Sequence, residues 1–104
     1  MKRFRLSLQA ESDLDDIWLW VAEETGSTEL ATRAVEKITD IFWTLARFPH
    51  VGRKRDQDLR RNLRSFPAED YLVFYRLDEK HGLVVLRVLH GSRDIRRLFA
   101  SGNR

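Results

Sequence analysis

His90 closes an apolar run, VVLRVLH (residues 84–90), and Gly91 with an arginine-rich segment, SRDIRRLF, follows it directly. Imidazole titrates near neutrality, so a histidine in that place suits a general acid or base in phosphodiester cleavage. It equally suits a ring that packs at a strand end and hydrogen-bonds its own chain. Arg87 interrupts the same apolar run. An unpaired guanidinium on a buried face is costly, so Arg87 either pairs with a carboxylate, Asp70 and Asp94 being candidates, or faces an open concave surface. Arg53, Lys54 and Arg55 crowd one polar stretch, Arg60, Arg61 and Arg64 the next, and Arg93, Arg96 and Arg97 come after His90. Guanidinium forks match carboxylate and phosphate groups. The basic residues Arg53, Lys54, Arg60, Arg61, Arg64, Arg87, Arg93, Arg96 and Arg97 are therefore candidate contacts to an anionic partner.

The charge is divided unevenly. Residues 1–50 carry a net −3 and residues 51–104 a net +6, with fifteen arginines against four lysines in the whole chain. The second half thus reads as the anion-facing one. Other chemistries drop out. His50 and His81 stand in polar loop and turn stretches, and no HxxxH, HExxH or two-histidine-plus-carboxylate spacing exists, so no metal site is expected. No cysteine is present, which removes thiol nucleophiles, disulfides and thiolate–zinc sites. There is no Walker loop, no GxGxxG and no GxSxG, and no cofactor is expected. The longest apolar run, IWLWVA at residues 17–22, is far short of the ~20 residues that span a bilayer. The first residues have no apolar stretch of the kind that directs secretion. A cytoplasmic protein without a membrane partner is the expectation.

The elements that must position these groups follow from periodicity. KRFRLSL alternates Phe4, Leu6 and Leu8 against polar residues, which predicts a half-buried strand. From Ala10, Leu14, Ile17, Trp18 and Val21 recur at helical spacing, and Gly26 stands as its stop. Ser27 is placed to cap a longer helix whose stripe runs from Ala31 through Ala34, Val35, Ile38, Ile41, Phe42 and Leu45 to Phe48, until Pro49 ends it. The short break predicts an antiparallel hairpin. PHVGRKRDQD reads as a loop. Strands are expected over 60–66, 70–77 and 83–90, and Ser92 is placed to cap a short last helix presenting Ile95, Leu98 and Phe99. Strict alternation along 83–90 puts Leu83, Val85, Arg87 and Leu89 on one face and Val84, Leu86, Val88 and His90 on the other. Both faces are mostly apolar and the hairpin covers only one, which leaves the second for a partner. Trp43 projects about 120° from Ala31 at 100° per residue and Leu19 lies similarly off-axis; such a tryptophan packs on the neighbouring helix or marks a partner surface. One domain over residues 1–104 accounts for all of this.

The segments ESDLDDIWLWVAEE, LARFPHVGRKR, YLVFYRL and LRVLHGSRD together resemble the RelE/ParE superfamily of bacterial toxins, and most closely its ParE-like branch. The resemblance runs from residue 3 to about 98. It implies an α+β fold, a helical hairpin packed on one face of a small, largely antiparallel four-stranded sheet (β-α-α-β-β-β, with a short C-terminal helix). It also implies a toxin of a type II toxin–antitoxin system, held inactive by a cognate antitoxin whose C-terminal segment wraps around it. RelE-like members cut messenger RNA on the ribosome; ParE-like members poison DNA gyrase and block replication. Under the nuclease alternative, Arg64 is a phosphate clamp, Arg87 a transition-state stabiliser and His90 the general base. The departure is that no tyrosine follows the last strand, Phe99 being the only aromatic there. The resemblance therefore favours the gyrase poison, with no catalytic residue. From the charge and the two-faced apolar strand, the antitoxin segment should be acidic and partly disordered, with apolar anchors on the sheet and carboxylates on the arginines.

Overall fold

A computed structural model describes residues 3–80 and 82–102; His81 lies outside them. The elements run β1 (Phe4–Leu6), α1 (Leu8–Thr25), α2 (Thr28–Arg47), β2 (Arg53–Lys54), β3 (Arg64–Ala68), β4 (Tyr71–Asp78), β5 (Gly82–His90) and α3 (Ile95–Gly102). The sheet order is β1-β5-β4-β3-β2; among the described residues the β1–β5 pairing alone is parallel. The α+β expectation holds with one strand more than the four anticipated. Arg53 and Lys54, expected in a loop, pair antiparallel with Ser65 and Arg64 and form the outer edge.

Caps set the helix limits. The Ser7 hydroxyl accepts from the Ala10 N–H at 3.0 Å and donates to the Leu86 carbonyl at 2.8 Å, so the residue that starts α1 also fastens it to β5. This start falls two residues before the apolar pattern alone predicts. Gly26 takes φ +69°, a left-handed conformation that suits glycine, and donates to the Ala22 carbonyl. Ser27 then caps α2 as expected, accepting from the Leu30 N–H. The two helices are tied near the start of α2 by the Trp18 indole N–H donating to Thr32 Oγ1 at 3.1 Å. At the other end, α3 is capped by Asp94, whose Oδ1 accepts from the Arg97 N–H. Ser92, the expected cap, is bonded to His90 instead.

The hairpin lies on one sheet face, where Leu14, Ile17, Ile38, Phe42 and Leu45 meet Val73, Tyr75, Val85 and Val88. The opposite face is not left bare. Leu63, Phe74, Leu89 and Phe99 form a second buried cluster with Leu59, Leu72, Leu86, Ile95 and Leu98 packed around it. The chain itself supplies this cover, through α3 and the segment before β3. That segment is braced by Arg55, which forks onto Asp58 at 2.6–3.1 Å and reaches the Ser65 hydroxyl. The Arg55 guanidinium holds the Asp58 carboxyl below the usual carboxylate range. Arg60 and Arg61 belong to this covering segment rather than to a strand, since β3 begins only at Arg64.

The expected alternation along β5 also breaks. Phe74 pairs with Arg87 and Tyr75 with Val85, so Leu86 is an extra residue and the register shifts. Val85 and Val88, three apart, consequently both enter the hairpin-side core.

One turn depends on the sheet for its shape. The Tyr75 hydroxyl donates to the Pro49 carbonyl at 2.8 Å and accepts from the Gly52 N–H at 2.9 Å. A Cβ on Gly52 would fall 2.2 Å from the Tyr75 oxygen, so only glycine fits. Arg64 completes the clamp by donating to the Gly52 carbonyl at 2.9 Å and the His50 carbonyl at 3.2 Å. Burial pushes the Tyr75 hydroxyl above the ordinary phenol value of 10.0, against the smaller opposite pull of the Gly52 N–H and Arg64. A phenol raised in the folded state contributes its stability fully below the unfolded value and loses it as pH rises through the folded one. Tyr75→Phe should therefore cost about 1–3 kcal/mol at neutral pH by orphaning the Gly52 N–H. It should also flatten the stability loss above pH ~10; urea midpoints measured from pH 7 to 11 check both.

Candidate interaction surface

The structure places each basic residue marked in the sequence and holds three of them, Arg60, Arg64 and Arg87, against groups of the chain itself. Arg87 pairs with neither Asp70 nor Asp94. Its Nε and Nη2 donate to the two carboxylate oxygens of Asp13 at 2.8 and 3.0 Å, and the same carboxylate accepts from the Val88 N–H at 2.8 Å. The pair is mostly shielded, with 24% and 11% of the two side chains exposed. Asp13 pulls the Arg87 pKa upward beyond its already high value, so the guanidinium is permanently charged and oriented. Arg64 is spent on the turn carbonyls, and Arg60 lies over the Phe99 ring at 5.0 Å. Arg53, Lys54, Arg61, Arg93, Arg96 and Arg97 are exposed.

Arg64, Arg87 and His90 do not converge. Arg64 stands opposite Tyr75 and His90 opposite Tyr71, four positions apart along β4. That separation is about 13 Å at ~3.3 Å per residue. Arg87 is turned toward α1. The His90 ring stands edge-on to Tyr71, with centroids 5.3 Å apart. Its Nδ1 accepts from the Ser92 N–H at 3.1 Å and lies 2.7 Å from the Ser92 hydroxyl. With Nδ1 accepting, the neutral ring carries its proton on Nε2. His90 thus ends the strand by fixing the turn that follows.

What the molecule does present is a groove. Two adjoining depressions of ≈ 430 and ≈ 280 Å³ share Ile17, Trp20, Tyr71 and His90. The helices line it with Val21, Leu30, Ala34 and Ile38. Trp20 and Leu30 keep 57% and 46% of their surface exposed, although both are large and apolar. Charges rim it: Asp16 and Arg93 at one end, Arg33, Lys37, Glu69 and Asp70 at the other. Burial, reinforced by the neighbouring Asp70 charge, raises the Tyr71 pKa, so its hydroxyl stays protonated and able to donate. An apolar trough with charged margins suits the apolar face of an amphipathic segment. Trp20 was not marked by the sequence pattern, because it lies only about 60° from Ile17 at 3.6 residues per turn and reads as an extension of the core stripe. Trp43, which was marked, stacks edge-on against Phe4 of β1 at 4.6 Å rather than against α1, and stays 57% exposed.

Comparison with known proteins places this arrangement. A family model described as the ParE toxin of the type II toxin–antitoxin system parDE matches residues 4–95. Toxin ParE1 of Caulobacter vibrioides is 33% identical over 96 residues, covering 92% of this chain and 96% of that protein. Toxin ParE3 of the same organism is 36% identical over 83 residues, 80% of each chain. A solved structure described as the chromosomal ParDE TA system from P. aeruginosa superposes with a TM-score of 0.73 at 23% identity, covering 86% of this chain and 96% of that one. That likeness shows the fold.

The Asp13 contacts yield a stability test. Asp13→Ala leaves the Arg87 guanidinium and the Val88 N–H without their acceptor, and should cost about 2–3 kcal/mol. The urea midpoint should fall without a change in slope, and adding Arg87→Met should restore part of the loss.

Proposed function

This chain belongs to the ParE toxin family of type II toxin–antitoxin systems, and from that membership we propose that it inhibits DNA gyrase, and so replication, until a cognate antitoxin neutralises it. The observation that carries the choice of target class is the dispersal of the basic residues. A ribosome-dependent nuclease needs acid–base and phosphate-stabilising groups around one scissile bond. Here Arg64 holds a turn, Arg87 holds α1 and His90 holds Ser92. Each candidate catalytic group is committed to a separate structural contact. That pattern supports a toxin acting by binding, in the cytoplasm where gyrase works.

The antitoxin reading is supported by two features. The Trp20–Tyr71 groove offers an apolar seat for a helix-forming segment, and exposed Arg53, Arg61, Arg93 and Arg96 offer partners for its carboxylates. With α3 already covering the second sheet face, the apolar anchors of the antitoxin belong in the groove rather than across that face.

Purified toxin should inhibit gyrase supercoiling at micromolar concentration or trap cleaved DNA, and His90→Ala should inhibit equally well. Messages that acquire codon-positioned cuts on induction, lost in His90→Ala, would instead make it a nuclease. Trp20→Ala should weaken antitoxin binding by roughly ten- to a hundredfold. Antitoxin affinity should also fall between 0.1 and 0.5 M salt as the exposed arginines are screened, both changes read by titration calorimetry.

A further inference from the structure

We propose that the end of the molecule formed by the C-terminus of α2, the Phe48–Val51 turn and Leu77 is the docking surface for the toxin's target, an acidic protein surface carrying an apolar side chain. The proposal rests on the target-binding reading above and gives it a location. Phe48, Val51 and Leu77 keep 58%, 52% and 38% of their surface exposed. Exposed apolar residues scattered singly need no explanation, but a cluster does. These sit together: the Val51 N–H closes the turn on the Phe48 carbonyl at 3.1 Å, and Leu77 is shared by two shallow depressions of ≈ 130 and ≈ 260 Å³ reaching Pro49 and Arg64.

The turn is unusually well held for one that shows apolar side chains to water. Tyr75 bonds the residues at Pro49 and Gly52, and Arg64 bonds the carbonyls at His50 and Gly52. Four hydrogen bonds from the sheet therefore hold the backbone from Pro49 to Gly52, beside the exposed Phe48 and around the exposed Val51. A surface fixed in advance loses less conformational freedom on binding.

Charge selects the occupant. Arg47 lies over the Phe48 ring at 5.8 Å, Lys54 and Arg64 line one depression, and Arg3 lines the other. Two carboxylates line the same depressions: Asp56, which accepts the Asn62 N–H, a bond that does not cancel its charge, and Asp78, which is paired with Arg76. Against them stand Arg3, Arg47, Lys54 and Arg64, so the rim is cationic on balance. A cationic rim around an apolar centre complements an acidic surface with a hydrophobic anchor. A nucleic-acid backbone would match the rim but gain nothing from Phe48 and Val51, so protein is favoured. The antitoxin is not the occupant proposed, because Leu30 of the groove and Phe48 stand at opposite ends of α2, roughly 27 Å apart at 1.5 Å per residue.

Two variants test this: Phe48→Ser/Val51→Ser/Leu77→Ser, and Lys54→Glu. The triple variant should bind antitoxin within about threefold of wild type, yet need roughly thirtyfold more protein to inhibit gyrase, and should no longer arrest growth. Lys54→Glu should weaken inhibition about tenfold and reduce its salt dependence. Full toxicity in the triple variant overturns the proposal. So does loss of toxicity in Lys54→Glu with the triple variant intact, which would point to a nucleic acid. If wild type arrests growth without touching gyrase, the gyrase reading fails alone; the triple variant's growth phenotype then still decides whether this surface meets the target. Should the triple variant melt below wild type, Phe48→Ser alone is read in its place.

Discussion

The contact on which the rest depends is the Asp13 carboxylate against β5. The first strand pairs with β5 only from Leu83 to Val85, after which the chain turns away into α1. Beyond that point β5 would present a bare edge, where unpaired backbone groups are expensive. Asp13 takes the place of a neighbouring strand, accepting the Val88 N–H with one oxygen and gripping the Arg87 side chain with both. Ser7 does the same one step earlier, at the Leu86 carbonyl. One helix thereby closes the sheet edge and is set at a fixed height over it, which places Ile17 and Trp20 against Tyr71 and opens the groove.

The sheet is apolar on both faces, and the chain resolves this with unequal covers. A long hairpin buries one face, while a single short helix and an arginine-braced segment bury the other. The bulge at Leu86 makes this possible, because it passes Leu86 and Leu89 to the α3 side and Val85 and Val88 to the hairpin side. Aromatic contacts finish the smaller cover, with Phe99 against Phe74 at 4.9 Å and Arg60 over Phe99.

Sequence pattern reached the helices, the strand cores and the α+β class, because each long element repeats its own period and carries its own stop. It failed where structure is made by distant partners. The two-residue β2 has no period to detect and exists only because β3 pairs with it. The partner of Arg87 lies 74 residues away on a helix, so proximity in the chain pointed to the wrong acids. A bulge is a property of two strands together, and strict alternation along one of them could not reveal it. Gly52 stands in the LARFPHVGRKR segment that carries the family resemblance, but its reason is a tyrosine hydroxyl on another strand. The interaction groove was least legible, since its tryptophan looks like core until the neighbouring elements leave it uncovered.

The parallel pairing of the first strand with the last has a consequence for how the protein comes into being. Phe4, Arg5 and Leu6 find their only strand partner at Leu83, Val84 and Val85. The hairpin, too, packs on residues as late as Val88. Ribosomes add about 5–20 residues per second, and contacts between remote segments must wait for the second of them. β2, β3 and β4 can pair with one another first, but that partial sheet lacks the strand on which β1 lies and to which α1 is fastened. The first strand and the helix after it therefore wait for β5, and the groove between α1 and Tyr71 is complete only when that strand is in place.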